Sequence, residues 1–169
     1  MTRPPIWQAA PPPDAPPILH APSLTAALRA LDAEFSVRLL YLGAAESGTP
    51  ANAYAGLMPP PDTPCFVRDV VLCLNRTPVI QARSLCTASA HNWRELLDCG
   101  SRPLGELLFD GSLPLTRSAF EFAQIADNAH PAPLTARRSR FRWQGEDLWL
   151  AECFLPELHA YLPPTGALG

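Results

Sequence analysis

From Phe66 to Thr87 apolar and polar residues follow the strand period of two, interrupted once by the turn-forming cluster Asn75-Arg76-Thr77-Pro78. Two apolar runs around such a cluster predict a long antiparallel hairpin. Side chains alternate faces along a strand, so Phe66, Arg68, Val70 and Leu72 share one face and Val67, Asp69, Val71 and Cys73 the other. On the return strand Arg83 shares a face with Val79, Gln81 and Leu85.

The period changes elsewhere. Leu24, Ala27, Leu28, Leu31 and Phe35 recur at helical spacing behind Ser23, a good N-cap, and predict a helix ending near Ser36. A strand over residues 37–42, a loop over 43–49 and a short edge strand over 52–58 follow, before the Pro59-Pro60-Pro61 break. Residues 89–98 read as a helix with Trp93, Leu96 and Leu97 inward and Gly100 just past its end. Pro103 suits the first position of a short helix containing Glu106, Leu107, Leu108 and Phe109. Strands are predicted over 115–125, 136–143 and 147–155, with Gln144-Gly145-Glu146 as a turn and Pro156 as the stop. Five or six strands joined mostly by hairpins, with few helices, predict a single α+β domain on an antiparallel sheet.

The domain is expected over residues 23–160. Residues 1–22 hold eight prolines and few core-building side chains and read as an extended, largely disordered arm. Residues 161–169 read as a flexible tail.

Three charges break the apolar rows. Arg68 stands where its face calls for an aliphatic residue, and Arg83 repeats the oddity on the return strand. Glu152 lies in the row Leu148, Leu150, Phe154. An unpaired buried charge costs several kcal/mol, so each needs a partner or a ligand. Two readings stand: a structural ion pair, or a cavity with a cationic and an anionic end. The run Arg137-Arg138-Ser139-Arg140-Phe141-Arg142-Trp143 interleaves arginines with aromatics, a pattern also used on nucleic acid. The strand period groups Arg138, Arg140 and Arg142 opposite Phe141 and Trp143, which describes a solvated strand face.

Composition narrows the chemistry. A net charge of −3 gives no electrostatic reason to expect nucleic acid or an anionic membrane as partner. All 13 basic side chains are arginine, which rules out Schiff-base lysine chemistry. The five cysteines lack CxxC spacing and the four histidines lack ligand spacing, so no metal site is expected. No apolar run reaches the roughly 20 residues that span a bilayer, and no apolar leader opens the chain. The expectation is a soluble cytoplasmic protein. With no GxSxG, phosphate loop or dinucleotide fingerprint, a small-molecule site working by charge and shape is the main enzyme option.

An ordered set of short motifs then adds a resemblance. Phe66-Val67-Arg68-Asp69-Val70, Ala82-Arg83-Ser84, Arg102-Pro103-Leu104-Gly105, Leu115-Thr116-Arg117, Arg137-Arg138-Ser139 and Ala151-Glu152-Cys153-Phe154-Leu155-Pro156 occur in the order and approximate spacing of the chorismate lyases of ubiquinone biosynthesis. The chain resembles that family from about Ser23 to Pro156. The resemblance implies a six-stranded antiparallel sheet with a buried pocket under helical flaps. It implies cofactor-free conversion of chorismate to 4-hydroxybenzoate and pyruvate by a monomer. By motif, Arg68 and the backbone N–H of Leu104 would bind the ring carboxylate and Glu152 would face the ring hydroxyl. Arg83 would line the pocket as the family's second arginine, catalytic and attracting the enolpyruvyl carboxylate, and Phe35 would supply a first-helix contact to substrate. The Pro-rich arm and the segment between Gly43 and Pro64 depart from the family pattern.

Two competitors remain. A non-catalytic ligand-binding module of similar fold serves as the effector domain of bacterial transcription regulators, but those carry an N-terminal winged helix, for which a proline-rich arm leaves no room. A chorismate-cleaving enzyme with a different hydroxybenzoate product is the other.

Overall fold

The computed structural model describes residues 5–45, 63–126 and 129–164. The short edge strand expected over 52–58 lies outside these residues. Ten residues of each hairpin arm and more build the centre: β2 (Cys65–Leu74) and β3 (Thr77–Thr87) pair antiparallel around Asn75 and Arg76. Both turn residues have positive φ, +49° and +67°. That is the two-residue turn whose twist suits a hairpin, and asparagine is among the residues that tolerate it. Gln144 and Gly145, at +51° and +77°, make the same turn between β6 (Leu134–Trp143) and β7 (Glu146–Phe154).

β1 (Phe35–Ala44) flanks β2, and the sheet order is β1-β2-β3-β7-β6-β4, with β4 (Thr116–Arg117). β5 (Glu121–Ile125) also pairs with β6. The strand expected over 115–125 is thus two pieces along one edge of β6. Between them Ser118 exchanges hydrogen bonds with the Arg140 backbone, which pins the break. Among the described residues the sheet therefore counts seven strands, where about six were expected.

Among the described residues three short α-helices pack on the sheet: α1 (Leu24–Arg29), α2 (His91–Leu97) and α3 (Leu104–Phe109). Ser23 caps α1 as expected, its hydroxyl accepting from the Ala26 N–H. The helix is shorter than its apolar stripe suggested. It stops by Ala30, and Phe35 opens β1 opposite Leu74. From Phe35 the chain pairs with β2, and strand pairing wins over helical spacing. Among the described residues no helix is long and apolar enough to cross a membrane, and no group of three or more His, Cys, Asp or Glu is placed to hold a metal.

The arm expected to be largely disordered over 1–22 is packed through its described part. Gln8 exchanges backbone hydrogen bonds with Phe122, and a 3-10 turn over Pro17–His20 buries Leu19 in the main core beside Leu28 and Phe122. Proline lowers the entropy that an extended segment loses on docking, so few apolar anchors suffice. At the other end Pro156–Tyr161 forms a 3-10 turn that buries Leu158 in the same core.

Candidate active site

Register decides which charges meet. Across the sheet Arg68 lies opposite Ser84 and Ser84 opposite Leu150; Val70 lies opposite Ala82, Ala82 opposite Glu152, and Glu152 opposite Arg137. These side chains share one face, and α1 and α3 close over it. The cavity between them is lined by Arg68, Ser84 and Glu152 from the sheet, by Leu24 and Thr25 of α1, by Leu104, Gly105, Leu108 and Phe109 of α3, and by Arg117 of β4.

At one end Arg68 is 2% exposed. Its Nη2 donates to the carbonyls of Gly100 and Arg102 at 3.1 and 3.0 Å, while its buried Nε has no partner. Among the described residues no carboxylate pairs with it. Burial pulls its pKa below the usual arginine value, with Cys99 acting in the opposite direction. The guanidinium is held in place by neutral acceptors and presents unused donors.

At the other end Glu152 accepts from Arg137 Nε at 2.8 Å. The Arg137 side chain is fully buried, and its Nη1 donates to the carbonyls of Leu19 and Ala21. The structural pair and the ligand cavity, alternatives on the sequence, coexist: Glu152 is neutralised by Arg137 and also lines the cavity. Arg117 stands nearby. Its Nε and Nη2 donate to Ser139 Oγ at 3.2 and 3.1 Å, its Nη1 donates to the Pro22 carbonyl, and its guanidinium lies over the rings of Phe109, Phe120 and Phe141 at 5.3, 4.3 and 4.7 Å. Burial, countered by Glu152 and reinforced by Arg137, brings its pKa down to about 10.

Three of the expected residues, Arg68, Glu152 and Leu104, therefore meet in one cavity. Arg83 does not. It lies on the opposite face, opposite Asp69, and grips that carboxylate through Nε and Nη2 at 2.7 and 2.9 Å. The expected pocket role of Arg83 is corrected accordingly: the carboxylate it needed is a protein side chain. Phe35 is likewise outside the lining, packed at the start of β1 under the Arg29 guanidinium. The first-helix contact is made by Leu24 and Thr25 instead. Sequence reasoning missed Arg117 and Arg137. Arg137 carried a signal, since it has the parity of the inward Phe141; the two-residue strand holding Arg117 is too short to show a period.

The Arg-Pro-Leu-Gly motif has a packing reason. A Cβ on Gly105 would lie 2.7 Å from Thr25 Oγ1 and 3.2 Å from Thr25 Cβ. Glycine thus lets α3 close on α1, and Arg29 bridges the same two helices to Glu106. Gly105→Ala is expected to push the helices apart and weaken ligand retention by about tenfold, with about 1–3 kcal/mol lost in stability. Ligand off-rates and denaturant titration check this; an unchanged off-rate would show that the helix contact does not close the cavity.

A family model for chorismate lyase matches residues 8–161. A probable chorismate pyruvate-lyase from Ralstonia nicotianae is 34% identical over 161 residues, covering 84% of this chain and 80% of that protein. A chorismate pyruvate-lyase from Erwinia tasmaniensis is 36% identical over 146 residues, covering 85% and 79%. A probable chorismate pyruvate-lyase 1 from Burkholderia pseudomallei is 37% identical over 110 residues, a match spanning 57% of this chain and 59% of the relative, under two thirds of its length. Among solved structures, the C-terminal domain of a histidine utilization repressor from Pseudomonas syringae superposes with a TM-score of 0.55 over 80% of this chain and 99% of that one, at 13% identity. That likeness concerns the fold alone.

Proposed function

The chain belongs to the chorismate lyase family, and from that premise we propose that it converts chorismate to 4-hydroxybenzoate and pyruvate without a cofactor, supplying the aromatic precursor of ubiquinone as a cytoplasmic monomer. The observation that carries the reading is Arg68: a buried guanidinium with no anionic partner among the described residues and an unsatisfied Nε, facing a cavity whose far end holds Glu152. A cation of that kind calls for an anion of the ligand.

In this reading the ring carboxylate meets the Arg68 fork and the backbone N–H of Leu104. Strands are about 4.8 Å apart and residues rise about 3.4 Å, so two strands and two residues put the Cα atoms of Arg68 and Glu152 about 12 Å apart. Strand side chains stand roughly perpendicular to the sheet, so this spacing is itself the span across which the ring lies. Glu152 accepts the hydrogen bond of the 4-hydroxyl and fixes the ring. Leu24 and Leu104 press on its faces.

The reaction needs no outside reductant or oxidant. The C3–O bond breaks and the enolpyruvyl oxygen takes its electron pair. The C4–H pair becomes ring π density, the C4 proton leaves, and a proton adds to the enol methylene to give pyruvate. Aromatisation drives the step, so the enzyme holds a reactive conformer and stabilises developing charge. Glu152 polarises the hydroxyl carbon or relays the proton.

The test is incubation of purified protein with chorismate, with 4-hydroxybenzoate read by chromatography and pyruvate by a coupled assay. Equal amounts of both above a no-protein control are expected. Folded protein that binds chorismate without product would support a binding module, and another hydroxybenzoate would reassign the product.

A further inference from the structure

The charges that line the cavity do not cancel. Glu152 is matched by Arg137, which leaves Arg68 and Arg117 without an ion-pair partner among the described residues. Chorismate carries two carboxylates, one on the ring and one on the enolpyruvyl group. We propose that Arg117 is the residue that receives the enolpyruvyl carboxylate, a specificity-determining contact for substrate that the product lacks. The assignment rests on the lyase reading.

Three features of Arg117 argue for a ligand rather than for a structural pin alone. Of five guanidinium N–H groups three are used, by Ser139 Oγ and the Pro22 carbonyl, which leaves two donors. Both hydrogen-bond partners are neutral, so the guanidinium is oriented without an ion-paired carboxylate among the described residues. The rings of Phe109, Phe120 and Phe141 stack around the guanidinium and hold its plane, which prepares it for a planar carboxylate. A pin needs no place in the cavity wall, yet Arg117 lines the cavity with Glu152 and Phe109.

Position agrees with chemistry. Arg117 pairs with Phe141 on β6, two strands beyond β7 in the sheet order and level with Leu148, so it lies to one side of the line from Arg68 to Glu152. A substrate with its ring carboxylate on Arg68 therefore directs its ether arm, which leaves from the carbon beside the hydroxyl-bearing one, toward Arg117. As the C3–O bond breaks, negative charge gathers on the departing enolpyruvate, and a fixed cation at its carboxylate lowers the barrier as well as binding it. Burial depresses the pKa of Arg117, and a bound carboxylate would restore it.

Substrate and product separate the roles. Wild type, Arg117→Gln, Arg117→Lys and Arg68→Gln are compared in chorismate kinetics and in direct binding of 4-hydroxybenzoate. For Arg117→Gln the expected result is kcat/KM for chorismate lower by on the order of 100-fold, with 4-hydroxybenzoate affinity within about threefold of wild type. Arg117→Lys keeps the charge and recovers about tenfold of the loss, whereas Arg68→Gln weakens both ligands. Product binding doubles as the check that the variant is folded. Equal losses for both ligands in Arg117→Gln would make Arg117 a structural pin and overturn the assignment, as would unchanged chorismate kinetics. A wild-type protein without turnover would instead overturn the lyase reading, and the assignment with it.

Discussion

Arg68→Met loses at least about 1000-fold in kcat/KM for chorismate while its unliganded fold is as stable as wild type or more so. The two halves of this expectation have one cause. Arg68 is almost fully buried, and among the described residues its hydrogen-bond partners are the carbonyls of Gly100 and Arg102. Two carbonyls repay part of the desolvation of a guanidinium, and the rest is recovered when a carboxylate arrives. A methionine of similar length removes the penalty and the binding together. Steady-state kinetics and denaturant titration of the same preparation read both. A variant that unfolds readily but turns over normally when folded would show that Arg68 only ties the loop after α2 to the sheet.

Glu152→Gln behaves in the opposite way and loses both properties. Turnover falls by about 100- to 1000-fold, because glutamine accepts from the ring hydroxyl but carries no charge to polarise it. Stability falls by about 3–5 kcal/mol, because the fully buried Arg137 is left without its counter-charge. Adding Arg137→Gln to Glu152→Gln removes the stranded cation, so the double variant recovers most of the stability and none of the turnover. A thermodynamic cycle over the two positions measures the coupling. Equal recovery of stability and turnover would reduce Glu152 to a structural partner.

The hairpin shows what a sequence can and cannot tell about a site. Its existence, its turn and the misfit of Arg68 were legible from the period of two and from Asn75. The place of Arg83 was not. A two-residue turn at Asn75 and Arg76 with regular pairing would set Arg68 opposite Arg83, two arginines in one pocket. The register instead slips by one residue next to Pro78, so that Leu72 faces Ile80 while Cys73 faces Pro78. Proline has no N–H for the ladder, and a bulge beside it absorbs the extra residue. One residue of slip moves every later side chain of β3 to the other face, which delivers Arg83 to Asp69 and Ser84 to the cavity. Likewise the Ser23 cap was readable but the length of α1 was not, because the end of a six-residue helix depends on the pairing of β1 rather than on its own spacing. The Arg137–Glu152 pair was half visible: Glu152 broke an apolar row, whereas Arg137 was hidden in an arginine run in which Arg140 and Arg142 face solvent.

The carbonyls that steady Arg137 and Arg117 belong to Leu19, Ala21 and Pro22, more than ninety positions upstream in the chain. That separation sets an order of events during synthesis. When residues 19–22 leave the ribosome, the two guanidinium groups they will hold do not yet exist. The hairpin, whose arms are close in sequence, can pair early; the charged end of the cavity must wait for β6 and β7 and for closure of a loop of more than 100 residues. The Arg68 end of the cavity draws on segments close in sequence, whereas the Glu152 and Arg117 end needs the arm, β6 and β7 brought together.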